Sequence, residues 1–174
     1  MAPPRTIDTA ERRARLGARH ALAAPVATAE AATAAVAVLH SSDPVSVHLS
    51  ARARTGAPAD DVERALYRDG SLVRVHGMRR TLWVVPAALE PAVRVAGSLP
   101  LVANERKRLL GALAGVVPDA EAWLDAVADD AVEAVVAAGD DGASAAELGR
   151  AVPALATKVT YGAGTKWASE ASVA

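Results

Sequence analysis

The stretch Asp69-Gly70-Ser71-Leu72-Val73-Arg74-Val75-His76-Gly77-Met78-Arg79-Arg80-Thr81-Leu82-Trp83-Val84-Val85-Pro86 changes the period of the chain. Upstream of it, apolar residues recur at helical spacing. Within it, two β-rich runs, Leu72 to His76 and Leu82 to Val85, alternate in part and flank a short polar tract. Asp69-Gly70 stops the preceding helix, the tract holding Arg79 and Arg80 supplies the turn, and Pro86 closes the second strand. A hairpin that follows helices is therefore the organising feature.

Toward the N-terminus, a Pro-rich and mobile start at Ala2 to Arg5 gives way to a helix from Thr9 to Ala24, which Pro25 ends. Thr28 offers an N-cap oxygen for a second helix reaching about Leu39, and Glu30 sits in its first turn where the helix dipole favours an acid. The tract His40-Ser41-Ser42-Asp43-Pro44 breaks that helix, and Pro44 suits the first turn of the next, Val45 to Arg54. Gly56 and Pro58 separate a fourth helix, with Val62, Ala65 and Leu66 as its apolar stripe beside exposed Arg64 and Arg68. Over residues 28–86 the order is three helices and then a hairpin, which is that of a winged helix. The Pro58 to Asp69 helix takes the recognition position, and Arg79-Arg80 lie near the wing tip.

Toward the C-terminus, Leu89 to Gly97 and Leu101 to Gly115 read as connecting helices. Beyond Pro118 the pattern restarts with a long helix to about Ala138, then a turn at Asp140-Asp141-Gly142, and then a short helix that a Ser144/Glu147 capping box opens. The tract from Val159 to Gly164 reads as a loop, and Ser169-Glu170 as the cap of a further helix. This second unit reads as a winged helix cut before its wing, with Val127, Val132 and Val135 either packed on the first unit or exposed. The expected architecture is mainly α with a small β-hairpin, a tandem winged helix-turn-helix whose second unit is incomplete. Its divisions are residues 1–27, 28–86, 87–117 and 118–174.

Composition narrows the class. The chain has 174 residues, of which 52% are hydrophobic, enough for a core without a ligand to complete it. Cysteine is absent, which excludes disulfides and thiolate metal sites and makes a reducing cytoplasm the simplest home. The four histidines, His20, His40, His48 and His76, are too scattered to read as metal-ligand pairs, and no cofactor or metal is expected. The alanine-rich run from Ala21 to Leu39 is broken by Thr28, Glu30 and Thr33, so it reads as an amphipathic helix, with no leader and no membrane span. The net charge of −1 hides an asymmetry: residues 1–40, 41–110 and 111–174 carry +2, +4 and −7. Only the first two stretches suit contact with phosphates.

Two tracts carry a resemblance to a known family. Ser71-Leu72-Val73-Arg74, Met78-Arg79-Arg80-Thr81-Leu82 and Val84 are similar to a signature of the AlkZ/YcaQ-type DNA glycosylases. Lys158-Val159-Thr160-Tyr161-Gly162-Ala163-Gly164-Thr165-Lys166-Trp167 resembles a later tract found there in the same order. The resemblance spans nearly the whole chain. It implies tandem winged helices on a basic surface that meets double-stranded DNA, removal of alkylated bases, and a chain of roughly twice this length whose C-terminal half would be a partner of this one.

In that family a Gln-x-Gln or Gln-x-Asp motif, followed by Asp-Pro, holds the attacking water. Here His40-Ser41-Ser42 stands before Asp43-Pro44, and the sequence contains no glutamine. The resemblance thus places His40 and Ser42 at the catalytic positions with different chemistry. An alkylated purine is cationic and leaves readily, so the protein need only position and polarise a water. A neutral imidazole accepts a proton, and a serine hydroxyl holds the same water. The competing reading makes His40 and Ser42 terminators of the preceding helix. His40, Ser42 and Asp43 also contain the residue types of a hydrolase triad, but close neighbours in one turn do not make the relay geometry.

Phosphate contacts are assigned to Arg64, Arg68, Arg74, Arg79 and Arg80. His48, mid-helix, reads as packed or solvated, Trp83, Trp123 and Trp167 as core or interface anchors, and Gly162-x-Gly164 as a phosphate-loop lookalike without the context such a loop needs. Three functions fit these residues: a glycosylase for alkylated bases, a non-catalytic DNA-binding regulator or degenerate relative, and a protein-interaction domain.

Overall fold

A computed structural model describes residues 5–56 and 58–173, so all of the Pro-rich start except Arg5 lies outside the described residues. The chain forms two compact units, one reaching to Leu101 and the other beginning at Val102. The fold is mainly helical with two small antiparallel sheets.

In the first unit α1 (Thr9–Arg19) is followed by α2 (Ala29–Val36), β1 (Leu39–His40), α3 (Pro44–Thr55), α4 (Ala59–Tyr67), β2 (Leu72–His76) and β3 (Leu82–Pro86). Next come α5 (Glu90–Val93), a wide π-helical turn at Arg94–Ser98 and α6 (Leu99–Leu113), most of which belongs to the second unit; the three form a single winding where the sequence suggested two separate helices. The caps follow the residue chemistry. The Thr28 side chain accepts from the Ala31 amide, Asp43 accepts from the Val45 amide with Pro44 behind it, and Pro58 precedes α4.

Both N-terminal helices are shorter than the sequence suggests. α1 stops at Arg19, not Ala24, because the Leu22 and Ala23 amides turn back onto the Gly17 carbonyl while Ala21 is left-handed (φ 54°). α2 stops at Val36, not Leu39, with Ala37 at φ 70°. Leu39 and His40 leave the helix to form β1, since Leu39 can there bury its side chain and pair with Val84.

The three strands lie in the order β1-β3-β2, all antiparallel. Register runs from Leu72↔Pro86 to His76↔Leu82 on one side of β3, and His40 faces Trp83 on the other. Leu72 and Val84 pack against Ala29, Leu39, Val47, Ala51, Val62 and Ala65. Three of these eight residues are alanines, so the helices approach the sheet closely and the larger side chains fill what remains.

The second unit contains α7 (Ala120–Ala138), α8 (Ala145–Ala151), β4 (Lys158–Tyr161) and β5 (Ser169–Ser172). The capping box is present: the Glu147 amide donates to Ser144 Oγ at 3.3 Å, and the Ser144 amide to Glu147 Oε2 at 2.8 Å. Two expectations are corrected. Val159 to Tyr161 belong to a strand, leaving only Gly162 to Gly164 of the expected loop as a turn, and Ser169-Glu170 lies in β5 and does not cap a helix. These strands pair from Lys158↔Ser172 to Tyr161↔Ser169, so the unit expected to lack a hairpin has one. Left-handed Gly162 and Gly164 reverse the chain, and the Thr165 hydroxyl donates to the Gly162 carbonyl at 2.8 Å. Along α7, Val127 is buried, whereas Val132, Val135 and Val136 are exposed. Trp167 is 77% exposed beside Lys166 at the hairpin turn, so it anchors no core.

Candidate functional site

The tripeptide singled out from the sequence lies on β1 and the bend leading into α3. His40 ends the edge strand β1, and its ring meets the Trp83 indole edge-on at 5.0 Å between centroids. Antiparallel pairing places the two residues opposite each other on one face of the sheet. Trp83 is fixed in turn, because its indole N–H donates to the Met78 carbonyl at 3.1 Å. Beyond His40 the ladder continues with the Ser41 amide donating to the Leu82 carbonyl at 2.8 Å.

His40 and Ser42 are both exposed, while Ser41 between them is buried and its hydroxyl has no partner among the described residues. Asp43 caps α3, and the Ser46 hydroxyl donates to the Asp43 carbonyl at 2.6 Å. Neither His40 nor Ser42 caps α2, whose C-cap is Ala37, so helix termination does not account for them. They stand as an exposed imidazole and an exposed hydroxyl two residues apart.

The five arginines divide by surroundings. Arg64 is committed within its own unit: it pairs with Asp69, lies 3.6 Å from Asp61 and is 4.0 Å from Glu30. Asp69 is the main reason its guanidinium is held even more firmly protonated than usual. Arg68 ends α4 and Arg74 projects from β2, both exposed. Arg79 and Arg80 form the tip of the β2–β3 hairpin, also exposed. His48, read as packed or solvated, points Nε2 at Glu63 Oε1 across 3.1 Å, linking α3 to α4.

Glu30 ties α2 to the hairpin. The Ser71 hydroxyl donates to Glu30 Oε1 at 2.6 Å and holds the carboxyl below its usual value, with partial burial opposing the shift. A depressed folded-state value contributes stability above the unfolded value of about 4.3, and that contribution is lost as pH falls through the folded value. Glu30→Gln is expected to lower stability by about 1 kcal/mol at pH 7 and by almost nothing near pH 3, read from urea midpoints at the two pH values. An equal loss at both would show that the carboxylate charge is irrelevant.

The hairpin is braced from behind by the wide turn after α5. Ser98 Oγ donates to the His76 carbonyl, and a Cβ at Gly97 would stand 3.3 Å from the Met78 amide nitrogen. Sequence reading missed this brace and the Trp83–His40 contact. A two-residue edge strand leaves no periodicity to detect, and nothing in residues 94–98 marks a π turn. Beside the brace, Val38, Met78, Leu89, Val93 and Gly97 line an apolar cleft of about 380 Å³. Among the described residues no cluster of three or more His, Asp or Glu could hold a metal, and no helix is long and apolar enough to cross a membrane.

These features define a helical protein with a braced, arginine-tipped hairpin next to an exposed histidine and serine. The family model described as DNA glycosylase AlkZ-like matches residues 33–173, and the chain belongs to that family. No curated protein and no solved structure matches it.

Proposed function

We propose that the protein binds double-stranded DNA through its first unit, read as a winged helix over residues 28–86, and hydrolyses the glycosidic bond of alkylated bases. The observation that carries this reading is the joint placement of Arg79-Arg80 and His40. Both belong to one three-stranded sheet, at the tip of one loop and the end of its edge strand. Backbone phosphates are met by Arg68, Arg74, Arg79 and Arg80, while Arg64 serves the fold.

His40 accepts a proton from the attacking water and Ser42 holds that water by hydrogen bonding. The alkylated purine, already cationic, leaves without needing an acid. The resemblance implies glutamine at these positions, and the chain contains none, so the second reading is a non-catalytic DNA-binding relative.

Duplex DNA carrying 7-methylguanine separates the two. Release of free 7-methylguanine on incubation with the protein supports hydrolysis. Binding of the duplex without release over many hours supports the non-catalytic relative.

A further inference from the structure

The hairpin tip is built in a way its residues do not favour. The four residues Met78 to Thr81 make a tight turn, closed by the Thr81 amide donating to the Met78 carbonyl at 3.3 Å and by the Gly77 amide donating to the Thr81 carbonyl at 3.0 Å. Its two central residues, Arg79 (φ 57°, ψ 23°) and Arg80 (φ 58°), are both left-handed. Hairpin turns with two such residues match the twist of the strands, but they call for Asn-Gly or Gly-Gly, since a Cβ is disfavoured there. Two consecutive arginines are a poor local choice.

The surroundings hold them there. The Met78 carbonyl also takes the Thr81 hydroxyl at 3.0 Å and the Trp83 indole N–H at 3.1 Å, so donors from three groups converge on the turn's first residue. At the base, Ser98 binds the His76 carbonyl and side-chain-free Gly97 lies against Gly77 and Met78. Strain that neighbouring contacts enforce, at a point carrying two exposed cations, marks a site where stability is given up for presentation.

We propose that the Arg79-Arg80 turn is a preorganised cation-presenting tip: the strained left-handed pair aims both guanidiniums at duplex DNA, at the expense of the stability an Asn-Gly turn would supply. The proposal rests on the DNA-binding reading above. It adds that the backbone conformation, and not only the charge, is fixed in advance of binding.

Two double variants of the full chain separate charge from strain. Arg79→Ala with Arg80→Ala removes both charges and keeps both Cβ atoms. Arg79→Asn with Arg80→Gly removes the same charges and relieves the backbone. Without DNA, the Asn-Gly variant is expected to melt about 3–6 °C above the double alanine, which melts at or below the wild type. With a 20-base-pair duplex at low salt, both variants are expected to bind at least about tenfold more weakly than wild type.

Equal melting temperatures for the two variants would overturn the strained-tip proposal while leaving the DNA-binding reading intact. Wild-type affinity retained by the Asn-Gly variant would remove the tip from the interface and overturn it too. A wild type that binds no duplex at low salt overturns the reading beneath the proposal, and the proposal with it.

Discussion

Replacing Leu72 by alanine is expected to lower the stability of the first unit by about 3–5 kcal/mol, the upper part of the range for a buried leucine. Leu72 is 1% exposed and packs among residues of which Ala29, Ala51 and Ala65 have no reach to fill the space it vacates. Of the four remaining buried neighbours, Val47, Val62 and Val84 are β-branched and stiff and Leu39 is held in β1 by its pairing with Val84, so most of the cavity would stay open and its cost would be felt. Against a total of about 5–15 kcal/mol for a domain, the loss would be about a third or more of the stability of a typical one. Urea denaturation followed by far-ultraviolet circular dichroism measures the loss. A change below about 1 kcal/mol would mean that Leu72 does not pin the sheet to the helices.

The largest expected effect on activity is at His40. If its imidazole takes the proton from the attacking water, His40→Ala should slow release of 7-methylguanine by about 10²- to 10⁴-fold, the usual contribution of a positioned base. Duplex affinity should stay within about twofold, because no phosphate contact is assigned to His40. Ser42→Ala removes one hydrogen bond to the water, worth about 1 kcal/mol, and should slow release about fivefold. Both side chains are exposed, so neither change opens a cavity. Release by His40→Ala at the wild-type rate would dismiss the catalytic assignment while leaving the DNA-binding one untouched.

Much of this was legible in the residues. Thr28, Pro44, Pro58 and Ser144 announce helix starts through a side-chain oxygen or a fixed φ, and the structure places Thr28, Pro58 and Ser144 at N-caps and Pro44 in the first turn of α3. The partial alternation from Leu72 to Val85 gave the hairpin, and its strands begin where the β-rich runs do. Tertiary pairing escaped local reading. Leu39-His40 continues a helical-looking run of alanine and valine, yet leaves the helix because β3 offers a partner. Ser169 to Ser172 has weak strand propensity and becomes a strand only because Lys158 to Tyr161 lies opposite.

At the candidate site, sequence could nominate His40 and Ser42 only through the resemblance. It had no means of placing His40 against Trp83, 43 positions later, before β1 was known. Nor could charge counting single out Arg64, closed in by three carboxylates, since all five arginines carry the same formal charge.

The central claim is that the first unit meets the phosphates of double-stranded DNA through its arginine-tipped hairpin. Its most direct test is the dissociation constant for a short duplex measured across a series of salt concentrations, for the wild type and for the Arg79→Ala, Arg80→Ala double variant. Each phosphate contact contributes about 0.9 to the log–log slope, so the account predicts a steep wild-type line and a variant line shallower by nearly two. Parallel lines, or a wild-type affinity that does not respond to salt, would contradict it.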